Sequence, residues 1–405
     1  MLCSPPGDGL AGPPIGRELT ALLAALPLAA CASAIPEGPT SVPAPAVKIA
    51  RAHVPTSGPS PALPPPPAGV PDAIMDSRWA RHPDISARTE EWVRYWSAEG
   101  RSDFQIYLER MERYRLVVEP EIAARGMPPS LRVLPVIESG YRPAAVSPAG
   151  AVGLWQFMSG TARSMGLTVT SLVDERRDPV RSTPLALDFL AELNERFGSW
   201  YVALAAYNAG PARVAGILRR HAPLAPSGDS LYVELRRELP PETSDFIPKL
   251  LAASRIAVDP RRYGLEPPGT VPMVYDEVTV PDATSMDVLA DVVGVPQREI
   301  EELNPQLLRG FTPYREQTEV RVPEGSGRDF ARRYAQVPKN ERISFLEHRV
   351  GRGETFSHIA LRYGVRLVAL QAANPGIRPR RLQIGQWLVV PRVPRAGEQR
   401  RSGRQ

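Results

Sequence analysis

The chain has 405 residues, 43% of them hydrophobic, and a formal net charge of +5, so it has room for two or three domains with real cores. Its only cysteines, Cys3 and Cys31, stand near the start, which excludes a disulfide scaffold in the folded part. The positive charge suits an anionic polymer as partner, and it equally reflects Arg-rich usage with a basic tail from Arg392 to Arg404; no nucleic-acid-binding motif is present.

Arg17 precedes an apolar run, Leu19 to Leu26, followed by Leu28-Ala29-Ala30-Cys31. A basic flank and an apolar core of this length read as a secretion signal over 1–31, too short to span a membrane. The stretch ahead of Arg17 is longer than a usual leader, so the true start is expected downstream of Met1. Leu-Ala-Ala-Cys resembles the lipobox of bacterial lipoproteins. That resemblance implies an acylated Cys31 and a lipid anchor as the link to a membrane. Ala32, rather than Asp, after the cysteine implies the outer membrane, facing the periplasm. An ordinary signal with a chance cysteine is the other reading. Residues 32–74 are rich in Pro, Ala and Ser, with Pro64 to Pro67 in a row. Such a segment cannot bury a core and reads as an extended tether.

Helical patterning follows. Trp92, Tyr95 and Trp96, then Phe104, Tyr107, Leu108, Met111 and Tyr114, recur at three- and four-residue steps. This predicts an apolar stripe whose aromatics belong to a core. Ser130 is placed to cap a helix running to about Glu138, and the Gly- and Pro-containing stretch 140–153 reads as a loop. Thr183 is placed to cap a helix over 184–197. Trp200 to Asn208 predicts a buried helix stopped by Gly210-Pro211, and Pro248 to Ile256 a further amphipathic segment. Nothing here alternates as strands, so 75–268 is expected to be a mainly α domain.

Three segments of this region stand out: Glu138-Ser139 in PVIESGYRP, Gly153-Leu154-Trp155-Gln156 in AGAVGLWQFM, and Ala206-Tyr207-Asn208-Ala209-Gly210. In order and spacing they resemble the goose-type-lysozyme-like (SLT) catalytic domain of bacterial lytic transglycosylases, densely over roughly residues 127–265. GLWQFM, the DERRDP run at 174–179 and the LPPET run at 239–243 resemble the membrane-bound lytic murein transglycosylase D group. The resemblance implies cleavage of the β-1,4 bond between N-acetylmuramic acid and N-acetylglucosamine in peptidoglycan, with formation of 1,6-anhydro ends. It implies one carboxyl, Glu138, acting first as acid and then as base on the C6 hydroxyl of the muramic acid. It further implies a hydrogen bond from Ser147 to that carboxyl, Gly153 beside the glycan, and Gln156 and Met158 lining the cleft. Tyr207 and Asn208 would close the cleft from another helix, with Glu242 at its margin.

The residues bear on this chemistry directly. Glycosidases commonly use two carboxylates. Here Glu138 is the only acid of its motif and the next downstream is Asp174, although Glu242 and Asp245 could approach in space. A single carboxyl serving as acid and base needs a proton at the start and a pKa near the working pH. Val136, Ile137, Trp155, Phe157 and Met158 can supply the apolar surround that raises it. His53, His82, His221, His348 and His358 form no metal-ligand spacing and no phosphate-cradling loop occurs, so neither metal nor cofactor is expected.

The C-terminal part repeats itself at an offset of 70: Val280 falls on Val350, Leu289 on Ile359, Gly294 on Gly364, and Asn304-Pro305 on Asn374-Pro375. The second copy, 346–392, reads as strand, Gly353-Glu354-Thr355 turn, helix, a second helix from about Leu367, Asn-Pro, strand. It looks like a LysM module, a βααβ unit, which implies binding of N-acetylglucosamine-containing glycans with Gly353, Thr355, Asn374 and Pro375 in the binding module. The first copy, 276–325, lacks the Gly-Glu-Thr turn and resembles a degenerate LysM. Either copy can also be a spacer. A basic tail, 393–405, is expected to be disordered. The expected architecture is a mainly α catalytic domain followed by small α+β modules, with peptidoglycan as partner. Two alternatives stay open: a hydrolytic lysozyme-like muramidase, and a non-catalytic wall-binding lipoprotein.

Overall fold

The computed structural model describes residues 47–48, 71–222, 227–313, 316–343, 345–374 and 376–391. The signal segment with Cys31, nearly all of the tether, Pro375 and the basic tail lie outside the described residues.

Asp72 is engaged in the helical fold: its carboxylate accepts hydrogen bonds from Ser130 N and Oγ at 2.8 and 2.9 Å. Ile74 is already fully buried. Helix α1 (Pro83–Ser97) opens on a proline, and α2 (Arg101–Arg113) and α3 (Arg115–Ala124) follow. Ile85, Thr89, Val93 and Trp96 form the buried stripe of α1, continued on α2 by Phe104, Leu108 and Met111. The expected aromatic stripe is a row of ring contacts: Trp92 on Trp96, Trp96 on Phe104, Phe104 on Tyr107. Ser130 does not cap a long helix. It lies inside a 3-10 turn, Pro129–Val133, held by Asp72, and only then does α4 (Leu134–Ser139) begin.

Helix α5 (Ser159–Ser164) is short, and α6 (Pro179–Phe197) starts five residues before the expected 184. Asp178 is its cap, accepting from Val180 N and Arg181 N; Asp followed by Pro at the first helical position is the stronger start signal. Thr183 is buried inside α6, where its hydroxyl accepts from Trp155 Nε1 at 3.0 Å. Helix α7 (Trp200–Ala209), capped by Ser199, is buried over Tyr201–Ala206. Gly210 ends it as expected, yet α8 (Pro211–His221) begins at once because proline suits a first helical position. After α9 (Ser230–Leu235) comes α10 (Pro241–Val258), which begins seven residues before the expected 248–256 segment. One apolar core joins all these helices.

Strands β1 (Val47–Lys48), β2 (Tyr275–Val280) and β3 (Thr318–Pro323) form an antiparallel sheet, with Val278 opposite Val320. Between β2 and β3 lie α11 (Met286–Val293) and α12 (Gln297–Leu303). A further helix, α13 (Phe330–Ala335), stacks Phe330 and Tyr334 on the same core. In the second copy β4 (Phe345–Arg349) pairs with β5 (Trp387–Pro391) around α14 (Phe356–Tyr363) and α15 (Leu367–Ala372). Both copies are therefore βααβ units, as their spacing predicts. The repeated asparagine has one role in both. Asn304 donates to Ile300 O and Arg321 O and accepts from Arg321 N; Asn374 donates to Leu370 O and Val389 O and accepts from Val389 N. Each side chain pins the end of the second helix to the last strand, and each is almost fully buried. Among the described residues no helix is long and apolar enough to cross a membrane.

Candidate active site

Helix α4 is a single apolar turn and a half that delivers Glu138 to a cleft. Gly140 ends it with φ +58, and Tyr141 N and Gly140 N close back on Pro135 O and Val136 O, as in a left-handed helix stop. A Cβ at Gly140 would sit 2.6 Å from the Tyr107 ring, so glycine is what lets α2 approach here. Ser139 Oγ donates to Leu154 O at 2.9 Å and ties α4 to the next motif. The described non-glycine residues with positive φ, Tyr141 and Gln156, both stand next to this cleft. Backbone strain of this kind gathers at functional sites. Tyr141 is held in place by burial and by its hydroxyl, which donates to Arg132 O.

The loop from Ser147 to Phe157 folds as two narrow turns. Val152 and Phe157 exchange backbone bonds, and Ser147 Oγ accepts from Ala151 N at 3.0 Å. Gly153, at φ +92, lies under Arg176, where a Cβ would come 1.8 Å from the Arg176 carbonyl oxygen. No other residue fits. Gln156 folds its amide onto Gly153 O at 2.8 Å. Leu154 and Trp155 are fully buried.

The cleft has a volume of about 460 Å³ and is lined by Glu138, Tyr107, Arg110, Arg142, Ser147 and Gln156 among others. Tyr207 on α7 and Glu242 on α10 act electrostatically on Glu138 from outside the cleft lining, which does not include Asn208 either. Tyr207 donates its hydroxyl to Trp155 O at 2.6 Å, and Asn208 Oδ1 accepts from Thr243 Oγ1 at 2.7 Å. Met158 stands half-exposed at the start of α5, outside the cleft lining. In the second module Gly353 turns at φ +78 and Thr355 caps α14. Glu354 accepts from Gly351 N and meets His348 Nε2 at 2.6 Å.

Burial pushes the Glu138 carboxyl up to about 8; the Glu242 carboxylate adds to this and the Lys249 ammonium opposes it. At neutral pH Glu138 therefore carries a proton, the state a general acid needs. Burial and the neighbouring Glu138 also raise Tyr207 well above an ordinary tyrosine, keeping its hydroxyl protonated. Other acids are near but solvated: Glu242 is exposed in the first turn of α10 and Asp103 is exposed at the rim. Sequence reasoning missed four groups. Tyr107 was read as core only, and Arg110 and Arg142 were not singled out. Lys249, whose ammonium lies 4.6 Å from the Trp92 ring centre, did carry a signal, since it lies two helical turns after Glu242 on one face of α10 and the chain has only two other lysines.

Residues 116–224 match the Transglycosylase SLT domain family, 274–339 the LysM-like domain of lytic transglycosylase MltD, and 348–391 the LysM domain. The chain thus carries a stretch matching an SLT domain followed by two matching LysM-type domains. Among individual proteins, it is 32% identical over 295 residues to Membrane-bound lytic murein transglycosylase D of Escherichia coli (strain K12), covering 69% of this chain and 64% of that protein. The counterpart in Escherichia coli O6:H1 matches to the same extent. The chain therefore spans just under two thirds of the length of these curated relatives. Among solved structures, the lytic transglycosylase Slt of Pseudomonas aeruginosa is 26% identical, with a TM-score of 0.31 over 38% of this chain and 25% of that one. The 70 kDa soluble lytic transglycosylase of Escherichia coli is 24% identical, with a TM-score of 0.30 over 39% and 25%.

Proposed function

We propose that this chain is a peptidoglycan lytic transglycosylase that cleaves the β-1,4 bond between N-acetylmuramic acid and N-acetylglucosamine, with Glu138 as both acid and base. The observation that carries this is a carboxyl in a cleft, held protonated at neutral pH by burial. Glu138 gives its proton to the leaving glycosidic oxygen as the bond to the anomeric carbon breaks. The resulting carboxylate then takes the proton of the muramic acid C6 hydroxyl while that oxygen bonds to the anomeric carbon. A 1,6-anhydro ring forms, the carboxyl is protonated again, and no water is consumed. The substrate's acetamido group bears the charge between the two steps. Tyr207 and Ser147 hold the loop and helix that face the carboxyl, and Gln156, Gly153 and Asn208 shape the walls.

The supporting modules fit the same reading. The second LysM unit holds the enzyme on N-acetylglucosamine-containing strands, with Gly353 and Thr355 shaping its turn and Asn374 its frame. Cys31 carries the lipid that places the enzyme at the outer membrane, facing the periplasm. Fractionation of cells making wild-type and Cys31→Ser chains tests the anchor: wild-type chain free in the soluble periplasm contradicts it. The catalytic assignment is tested by Glu138→Gln, which keeps shape and removes the titrating proton. Solubilisation of peptidoglycan should fall by about two to four orders of magnitude, the range for general acid–base catalysis, with folding intact. A folded Glu138→Gln chain working at the wild-type rate refutes it.

A further inference from the structure

The DERRDP run has no place in the chemistry above, yet three of its five charged residues are among the most buried in the molecule. Asp174, Arg176 and Asp178 are each less than a tenth exposed. Arg176 forks onto Asp174 with two bonds of 2.9 and 2.8 Å, and its remaining nitrogen donates to Gly150 O at 3.2 Å and Phe157 O at 3.1 Å. Its own carbonyl is the atom against which Gly153 packs. The run thus grips the loop that carries Gly153 and Gln156 at both ends and in the middle.

The run is in turn gripped by the first repeat. Arg321 of β3, 6% exposed, donates to Asp178 Oδ2 at 2.8 Å, while Asp178 Oδ1 caps α6. Asp174 N donates to Gln306 O and Leu308 N to Leu172 O, each at 2.9 Å, and Arg309 Nε donates to Ser171 O at 3.2 Å. The linker is strapped down separately. Glu109 of α2 accepts from Gly269 N, Thr270 N and Thr270 Oγ1, and Met273 N donates to Arg113 O at 2.7 Å. A spacer or a mobile glycan-binding module needs none of this. Buried charges are tolerated only when paired, so removing one partner strands the other.

We infer that the first repeat is a positioning element of the catalytic cleft: Arg321 and the 304–309 turn hold the DERRDP run, and Arg176 of that run holds the Gly150–Phe157 loop against Glu138. Arg321, Asp178, Asp174 and Arg176 are positioning residues that touch no substrate. The reading rests on the cleft assigned above, so its test has a readout that does not depend on activity.

The experiment uses the full chain with Arg321→Ala, the milder Arg321→Lys, Arg176→Ala and the double variant Arg321→Ala/Arg176→Ala. Backbone hydrogen exchange is followed at Val152 and Phe157, whose amides bond each other's carbonyls. Exchange at both should quicken at least about tenfold in Arg321→Ala and less in Arg321→Lys, while Leu250 and Leu251 in α10 keep wild-type rates. On short soluble glycan strands kcat should fall about tenfold to a hundredfold, the scale of a 1 Å misplacement, with KM nearly unchanged. The double variant should lose no more than the worse single one, because residues acting in series do not add. Should Arg321→Ala not fold, Arg321→Lys carries the same readings. Wild-type exchange at Val152 and Phe157 in a folded Arg321 variant overturns the inference. So do losses that multiply in the double variant, or a rise in KM with kcat steady, which marks a glycan-binding module.

Discussion

Glu138→Gln should stabilise the fold that it inactivates, and by an amount that grows with pH. In the folded chain burial keeps the Glu138 proton up to about pH 8, against an ordinary 4.5. Between those values the unfolded chain releases the proton and the folded chain keeps it, so stability falls as pH rises. The cost is absent below about 4.5 and complete above about 8. At about 1.4 kcal/mol per pH unit the full window is worth at most about 5 kcal/mol, and the partial exposure of Glu138 brings the expected value to about 3–5 kcal/mol. That is a large share of the ~5–15 kcal/mol that holds a typical domain together. Glutamine has the same shape and no charge to desolvate. Denaturant unfolding of both chains at pH 4 and pH 9 measures it: the gap in favour of Glu138→Gln should be small at pH 4 and about 3–5 kcal/mol at pH 9. A gap that does not change with pH refutes the claim that burial holds this carboxyl protonated.

Three other outcomes follow from the same geometry. The rate on short strands should fall as pH rises through about 8, with the fall moved to lower pH in Glu242→Gln and to higher pH in Lys249→Met, because the first removes a like charge and the second a countercharge; a pH–rate profile that shifts the opposite way contradicts the assigned neighbours. Tyr207→Phe leaves the Trp155 carbonyl without its 2.6 Å partner, which costs about 1–3 kcal/mol, so kcat should drop about tenfold to a hundredfold while Glu138→Gln loses more; total loss would make Tyr207 a direct participant. Removing 346–405 should weaken pull-down on insoluble peptidoglycan but barely change turnover of short soluble strands, since the second module has its own core and acts by raising local concentration; an equal drop on both substrates would mean that it buttresses the cleft as well.

Much of this was legible in the chain. The βααβ repeats were readable because their apolar positions recur at a fixed offset, and the central α7 because an apolar run ends in Gly-Pro. Glu138 stands out through the resemblance of its motif to lytic transglycosylases, and its apolar neighbours forecast the burial that raises its carboxyl. The misreadings have local causes. Thr183 looked like a cap only because Asp178-Pro179, the better signal, had been absorbed into a charged run. Ser130 looked like a cap because its true partner, Asp72, lies 58 residues earlier. Tyr107 reads as core by periodicity, and it does contact Phe104, but the absent side chain of Gly140 lets its other edge reach the cleft. The hold of the first repeat on the DERRDP run was out of reach. Its key pair, Arg321 with Asp178, spans 143 residues, and a charge that will be buried looks the same in sequence as one that stays in water.

The most direct test of the central claim is the mass of the ends that the wild-type chain makes from purified peptidoglycan. Transfer to the C6 hydroxyl by a lone acid and base predicts 1,6-anhydro ends, one water lighter than hydrolysis products, and their loss in Glu138→Gln. Reducing ends of full mass would contradict the account and make the enzyme a hydrolase, with Glu242 or Asp103 activating water across the same cleft.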